Sequence, residues 1–115
     1  MVSGSKQALV CAAACDTLAA QGGQAELIDL RTIWPWDRDT VLASAAKTGR
    51  LLVVHEAIQA AGFGAEIAAT AAEATGCKIS RLGAPRIPVG YAPVLEAQSR
   101  VTADAIVARV QQLLA

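Results

Sequence analysis

Apolar residues recur every three or four positions in four stretches of the chain, a spacing that predicts helices. The residues at their ends agree with this prediction. Asp37 and Thr102 can each accept a hydrogen bond from the first turn of a following helix, and a glycine follows each of the first three stretches. The predicted helices are Lys6 to Gln21, Arg38 to Thr48, Ala65 to Thr75 and Val101 to Leu114.

Short apolar or alternating stretches lie between these helices and predict strands at Ala25 to Leu30, Arg50 to His55 and Cys77 to Leu82. Four consecutive apolar residues in the second of them indicate burial on both faces, as in a parallel sheet. The third alternates and predicts an outer strand. Small residues predict a loop from Ala57 to Gly64, and prolines predict another from Gly83 to Pro93.

Alternation of helix and strand along the whole chain predicts one domain over residues 1–115. We expect a three-layer α/β/α fold around a mostly parallel sheet. No internal repeat, linker or low-complexity tract interrupts the pattern.

The composition narrows the classes of function. The 115 residues are 54% hydrophobic, 17% charged and 3% aromatic, with 26 alanines and a formal net charge of zero. A disordered chain would be more charged, and a nucleic-acid binder would carry a basic excess with aromatic platforms. Because zero net charge favours association, we expect the isolated chain to form a homodimer or larger assembly, without a nucleic-acid partner.

The apolar stretches all end well before the ~20 residues that a membrane-spanning helix needs, and residues 1–6 lack a signal-peptide pattern. We predict no membrane association and a cytoplasmic location. Three cysteines fit that prediction as small buried hydrophobes. Cys11 and Cys15 lack two further ligands at a metal-binding spacing, so we predict no metal site.

Two features at the end of the central predicted strand could carry chemistry. His55 is the only histidine, so acid–base catalysis near neutral pH would fall to it; the alternative is a histidine bonded to the backbone at a strand end. Gly62 and Gly64 precede a helix, where a glycine-rich turn can hold an anion. The alternative is that they only allow a tight entry and close helix packing.

Two tryptophans flank a proline in the loop after the first predicted strand. Trp34 and Trp36 can fill the core, or they can anchor an interface, where tryptophan is enriched. We also predict Tyr91 and Arg86, in the proline-rich segment, as interface residues. Glu66 and Glu73 lie two helical turns apart, and we interpret them as a solvated helix face.

Four runs of sequence, in this order, resemble one known family: AELIDLRTI at 25–33, KTGRLLVVHEA at 47–57, GFGAEIA at 62–68 and PVGYAPVLE at 88–96. They are similar to the C-terminal domain of the transketolase family. More narrowly, they resemble the beta subunit of thiamine-diphosphate-dependent 2-oxo acid dehydrogenases of the pyruvate, branched-chain and acetoin type. The similarity covers nearly the whole chain.

The resemblance implies a five-stranded mixed sheet with one antiparallel edge strand. Met1 to Ser3 would then be a remnant of the first strand, and a fifth would lie within Ile87 to Tyr91. It also implies that thiamine diphosphate and magnesium are bound by other domains of the whole enzyme and not by this chain. The chain is therefore expected to be a domain of a longer beta subunit that is inactive alone.

The same resemblance implies the partners. The C-terminal domain of the family helps to hold the heterotetramer of alpha and beta subunits together, and in related complexes it offers a surface to the acyltransferase core. This sequence departs from the family pattern at Arg86 and at the two tryptophans, which stand where smaller residues are common. Two alternatives stay open: a transketolase or deoxyxylulose-phosphate synthase relative, and a free-standing interaction module of the same fold.

Overall fold

The computed structural model describes residues 1–4, 6–32, 34–85 and 100–115. Strands and helices alternate in these residues, as the sequence predicts. The strands are β1 (Val2–Gly4), β2 (Ile28–Leu30), β3 (Arg50–Ile58) and β4 (Lys78–Ala84). The helices are α1 (Lys6–Ala20), α2 (Arg38–Thr48), α3 (Phe63–Thr75) and α4 (Ala103–Leu114).

The described strands form one parallel sheet in the order β2-β1-β3-β4. Val2 of β1 is paired with Ile28 on one side and with Val53 on the other. Arg50 of β3 is paired with Lys78 of β4, which lies at an edge of this sheet as predicted. Because all these strands run the same way, their carboxyl ends meet along one edge.

The sheet separates two hydrophobic clusters, which gives the three-layer architecture. Alternate residues of β3 enter different clusters because successive side chains of a strand point to opposite faces. Leu52 and Val54 pack with α1 and α4, whereas Leu51 and Val53 pack with α2 and α3. The prediction that β3 is buried on both faces is confirmed, because its four central residues are all buried.

The predicted caps of α2 and α4 are confirmed, although α1 ends at Ala20 and α4 begins at Ala103. Asp37 accepts hydrogen bonds from the Thr40 backbone N–H at 3.2 Å and hydroxyl at 2.7 Å, which lower the pKa of its carboxyl. Thr102 accepts from the Ala105 N–H at 3.2 Å. Gly49 ends α2 at φ 73°, a left-handed conformation that glycine adopts without steric cost.

Several predicted boundaries were wrong, among them the start of the first predicted strand, since β2 begins at Ile28 and not at Ala25. β3 continues past His55 to Ile58, and α3 begins at Phe63, so the loop predicted from Ala57 to Gly64 is much shorter. β4 extends beyond Leu82, because the irregular end of β3 still pairs with it through Ile58 and Ala84. Tertiary pairing therefore decides both strand ends, since neither has an alternating pattern.

The first strand implied by the resemblance exists as β1. The segment 87–91, where a fifth strand was expected, lies outside the described residues. No helix in the described part of the chain is both long and apolar enough to cross a bilayer.

Candidate functional site

A cleft of about 540 Å³ opens at the carboxyl ends of the strands. Open α/β sheets commonly place their functional groups at this edge. Residues from the ends of β1, β2 and β3 line the cleft together with the beginning of α3. The side chains that give it chemical character are those of Asp29, Arg31, His55, Glu56 and Phe63.

His55 is the most constrained of these side chains. Its Nδ1 lies 2.9 Å from the carbonyl oxygen of Ala57. Since a carbonyl oxygen can only accept, the hydrogen of the neutral ring belongs on Nδ1. The other nitrogen, Nε2, is buried and has no hydrogen-bond partner among the described residues. This geometry agrees with one of the two interpretations made from the sequence, a histidine that is hydrogen-bonded to the backbone at a strand end.

Three glycines enclose the imidazole. A Cβ atom built on Gly64 would lie 2.7 Å from both Nε2 and Cδ2 of His55. One on Gly62 or on Gly83 would lie 2.8 Å from Cε1. Such approaches are closer than side-chain atoms tolerate, so the position of the ring requires glycine at 64 and, together with the backbone oxygens of Ile58 and Ala57, at 62 and 83.

The placement of Gly62 and Gly64 bears on the two interpretations of the glycine-rich turn. Gly64 is buried inside the first turn of α3, and Gly62 precedes the helix without a side-chain cap. Both approach the His55 ring. This packing agrees with the interpretation that the two glycines let the chain enter the helix tightly and pack closely. An anion-binding role stays a prediction.

Gly83 is a site residue that sequence reasoning missed. It was assigned to a loop, but it lies in β4 beside the irregular end of β3. The side-chain Oε1 of Gln59 accepts a hydrogen bond from its N–H at 3.2 Å. A glycine within a strand often marks a close approach of another backbone, and this was the one available signal.

The two tryptophans have different environments. Trp34 is 79% exposed. Trp36 is half-buried, packs against the cluster below α2 and α3, and meets Phe63 edge-on at 6.2 Å between ring centroids. Trp36 thus matches the core interpretation in part, and Trp34 has the exposure that an interface anchor needs. Arg86 and Tyr91 lie outside the described residues, and all four remain predicted interface residues.

The charges at the cleft are solvated. Arg31 Nε lies 3.8 Å from the Asp29 carboxylate, and both side chains are exposed, so this pair contributes little to stability. Glu56 is exposed as well. Within the described ranges, no three His, Cys, Asp or Glu side chains lie together as a metal site. Glu66 and Glu73 are both exposed, which agrees with a solvated helix face.

A second cleft, of about 600 Å³, lies at the amino ends of the strands. Glu26 lines it and accepts hydrogen bonds from Ser44 Oγ at 2.7 Å and from Lys47 Nζ. These contacts lower the pKa of the Glu26 carboxyl and raise that of Lys47, although both groups are open to solvent.

The cysteines are free thiols. Burial raises the pKa of the Cys11 thiol and also that of the Cys15 thiol. Both thiols therefore stay protonated at neutral pH. A buried thiol with a raised pKa is a poor nucleophile. The structural interpretation agrees with the placement of Cys11 and Cys15 at the cluster below α1 and α4, and of Cys77 against the cluster on the other face of the sheet.

Comparison with known proteins identifies similar chains. The family described as "Transketolase, C-terminal domain" matches residues 1–106. The beta subunit of 2-oxoisovalerate dehydrogenase from Chaetomium thermophilum is 62% identical over 52 residues, 45% of this chain and 11% of that subunit. The beta subunit of an acetoin:2,6-dichlorophenolindophenol oxidoreductase from Bacillus subtilis is 35% identical over 113 residues, 95% of this chain and 33% of that subunit.

A solved structure shares the fold. It is described as a split-gene transketolase, an inactive beta4 tetramer, and it matches with a TM-score of 0.88 and 25% identity. The match covers 98% of this chain and 38% of that one. The chain thus spans between about a tenth and two-fifths of the proteins it matches. The resemblance and the α/β fold class expected from the sequence are both confirmed.

Proposed function

Because the chain belongs to the transketolase C-terminal domain family, we propose that it is the assembly domain of a thiamine-diphosphate-dependent 2-oxo acid dehydrogenase beta subunit. The observation that carries the proposal is the alignment with the acetoin oxidoreductase beta subunit, which extends over 95% of this chain. The whole enzyme would decarboxylate a 2-oxo acid oxidatively. This domain would contribute contacts between subunits and would be inactive alone.

The proposed partners are the alpha and beta subunits of a heterotetramer, with the acyltransferase core as a further one. Large apolar side chains at the surface support a role in association. Trp34 is 79% exposed and Leu9 is 76% exposed. An exposed tryptophan on a chain without net charge is suited to an interface. The similar transketolase chain, described as a beta4 tetramer, also supports association through this fold.

We propose that the described residues hold neither thiamine diphosphate nor magnesium. Magnesium bound to a diphosphate takes oxygen ligands, commonly one or two carboxylates. In the carboxyl-end cleft, Asp29 is paired with Arg31, and no metal-ligating cluster occurs in the described ranges. We therefore assign no step of the reaction to this chain and propose that other domains of the whole enzyme bind both groups.

A transketolase relative is the alternative favoured by the structural match. The sequence identities support the dehydrogenase instead, with 25% to the transketolase chain against 42% over 87 residues to the Cupriavidus necator acetoin oxidoreductase beta subunit. An ordered phosphate or sulfate beside Gly62 and Gly64 in a crystal would favour a sugar-phosphate enzyme. The reading frame that encodes the chain distinguishes both enzymes from a free-standing module. In either enzyme a pyrimidine-binding domain is expected upstream, whereas a free-standing module would have none.

Two measurements on the isolated chain test the proposal. Sedimentation velocity should show a dimer or larger species that dissociates on dilution, and mixing with alpha and beta subunits should give a co-sedimenting complex. Calorimetry with thiamine diphosphate and magnesium should give no binding heat. A strictly monomeric chain that joins no subunit, or measurable binding of the cofactor, would contradict it.

A further inference from the structure

We propose that the carboxyl-end cleft is a binding site for a nucleoside, a ligand that joins a flat heteroaromatic base to a sugar with two neighbouring hydroxyl groups. The base would pack against the apolar wall of the cleft beside Phe63, and the hydroxyl groups would donate to the Asp29 carboxylate. This inference concerns the domain itself and does not depend on the enzyme to which the domain belongs.

The cleft lies where the strand order of the sheet reverses. From β1 the chain passes through α1 on one face to β2, and from β3 it passes through α3 on the other face to β4. The two connections therefore leave the middle of the sheet in opposite directions. Open α/β sheets bind ligands in the crevice that such a reversal creates at the carboxyl ends of the strands.

The two central strands separate at this point. In the described sheet, β1 is joined to β3 only through Val2 and Val53, whereas it is joined to β2 through three pairs. Beyond that single pair, Ser3 and Gly4 of β1 line the cleft opposite the end of β3. Its volume of about 540 Å³ lies within the range of ~300–1,000 Å³ that small-molecule sites occupy.

Two buried polar atoms at the cleft lack a hydrogen-bond partner. Among the described residues, the buried side-chain polar atoms without one are Ser3 Oγ and His55 Nε2, and both residues line this cleft. Ser3 lies beside the Cys11 thiol, which is only a weak acceptor. Since buried polar groups are nearly always paired, their concentration in one cleft indicates that it receives a polar ligand.

The polar groups of the cleft are mostly hydrogen-bond acceptors. The Asp29 and Glu56 carboxylates can only accept when ionised, and both residues are exposed where they line the cleft. Because Nδ1 of His55 donates to the Ala57 carbonyl, Nε2 is an acceptor as well. A fitting ligand must therefore supply donors, as hydroxyl and amino groups do.

The surrounding charges favour a neutral donor over a cation. Arg31 lines the cleft, with its Nε 3.8 Å from the Asp29 carboxylate. The first turn of α3 also lines the cleft through Phe63, and the amino end of a helix carries a partial positive charge. Both oppose a cationic ligand. Because the pair of Arg31 and Asp29 is exposed, a hydroxyl group can replace the arginine at little cost.

The two faces of the sheet determine the shape of a fitting ligand. Val53, Phe63 and Ile67 form an apolar wall on the face that carries α3. Asp29 lies on the opposite face, because its two neighbours in β2 pack with α2 and α3 and successive side chains of a strand alternate. A molecule that crosses the sheet edge meets the apolar wall at one end and a carboxylate at the other. The flat base and the hydroxyl groups of a nucleoside match these two ends.

Titration of the isotope-labelled chain with adenosine at constant pH, followed by NMR, tests the site. His55 is the only histidine, so the effect of a bound aromatic base on its carbon-bound ring protons is unambiguous. We expect saturable shifts of these protons and of the Gly4, Phe63 and Gly64 amide signals. The amide signal of Glu26, in the amino-end cleft, should stay constant.

The variant Asp29→Asn tests the contact with the sugar. It removes a charged acceptor from an exposed position. Hydrogen bonds to charged groups contribute about tenfold or more to an equilibrium constant, so we expect the dissociation constant of adenosine to rise by about tenfold. The analogue 2′-deoxyadenosine lacks one of the hydroxyl groups. It should bind the parent more weakly by a similar factor and should lose little further affinity in Asp29→Asn.

The variant Glu26→Gln is the matched control, because it removes an exposed carboxylate from the cleft at the opposite edge of the sheet. The affinity for adenosine should not change. The comparison of adenosine with 2′-deoxyadenosine on the parent chain decides the question even if Asp29→Asn fails to fold.

Three outcomes would overturn the inference. Adenosine at millimolar concentration causes no saturable shift at the cleft; or adenosine and 2′-deoxyadenosine bind the parent equally; or Asp29→Asn and Glu26→Gln change the affinity to the same extent. None of these outcomes bears on subunit association, on which the proposed assembly role depends, so the two proposals fail separately.

Discussion

The two clefts at opposite edges of the sheet are held together in different ways. At the carboxyl edge, an imidazole is enclosed by three glycines and bonded to one backbone carbonyl. At the amino edge, Glu26 bridges Ser44 and Lys47 in the open solvent. The packing at the carboxyl edge has no space for one added methyl group. The solvated ion pair at the amino edge can rearrange at little cost. The carboxyl edge is therefore the part of the molecule that substitutions should disturb most.

The largest effect is expected for Gly64→Ala. Alanine in a helix normally stabilises by about 1 kcal/mol over glycine. Here the added Cβ would lie 2.7 Å from the His55 ring and 3.2 Å from Val53 Cγ1, and overpacking of this kind costs about 1–3 kcal/mol. We expect a net loss of up to about 2 kcal/mol in the free energy of unfolding, measured by urea denaturation.

The double variant Gly64→Ala/His55→Ala separates this clash from other effects of the methyl group. Removing the ring makes room for the methyl group, so Gly64→Ala should be neutral or stabilising in that background. An equal loss with and without the His55 ring would show that the cradle is not what makes the position sensitive.

The next largest effects are expected for the two tryptophans, which should affect different properties of the protein. Trp36→Ala should lower the free energy of unfolding by about 1–2 kcal/mol, less than half of the roughly 3–5 kcal/mol that is lost with a fully buried ring, because Trp36 is only half-buried against Phe63. Trp34→Ala should leave stability unchanged and weaken self-association, since this ring is 79% exposed. Urea denaturation and sedimentation velocity measure the two effects. A destabilised Trp34→Ala protein that associates normally would reverse the assignment.

Thiols near the amino edge should react slowly. Since burial raises the pKa of Cys11 and Cys15, we expect alkylation at neutral pH to modify half-buried Cys77 first and buried Cys11 last, as measured by mass spectrometry. All three should react equally in denaturant. Because folding raises the pKa of Cys11, its contribution to stability is complete below the ordinary thiol pKa and is lost as the pH rises above it. Early modification of Cys11 would contradict its burial.

The smallest effect is expected for Glu26→Gln. The pKa of this carboxyl is lowered in the folded chain by hydrogen bonds from Lys47 and Ser44, so ionised Glu26 stabilises the fold above its ordinary pKa and ceases to do so as the pH falls. The urea midpoints should differ slightly near about pH 7 and coincide below about pH 3. If the difference between the urea midpoints grows in acid, the predicted sign of the Glu26 contribution is wrong. Ser44→Ala, which removes one hydrogen bond to Glu26, is a matched control.

Much of the fold could be predicted from the chain alone. The helical spacing, the caps at Asp37 and Thr102 and the buried strand around Val53 are local signals, and the structure agrees with them. The strand ends after His55 and Leu82 could not be predicted. Both depend on the irregular pairing of Ile58 with Ala84, between strands that are distant in the sequence.

The candidate site was predictable only in part. The position of His55 and the glycines after it could be recognised from the sequence. What these residues do to one another could not, because the ring also contacts Gly83, which follows it by 28 positions. The sequence likewise leaves Trp34 and Trp36 equivalent, and only packing against Phe63 distinguishes them.

The sequence by itself determined the family, the alternation of helix and strand, and the neutral, alanine-rich composition. Each of these follows from residue identity, spacing or count. Only the tertiary structure decided that three glycines from two separate segments close around one imidazole, and that one tryptophan is packed while the other faces solvent. The reason is physical: periodicity reports which face of an element is apolar, whereas steric fit depends on atoms brought together from distant parts of the chain.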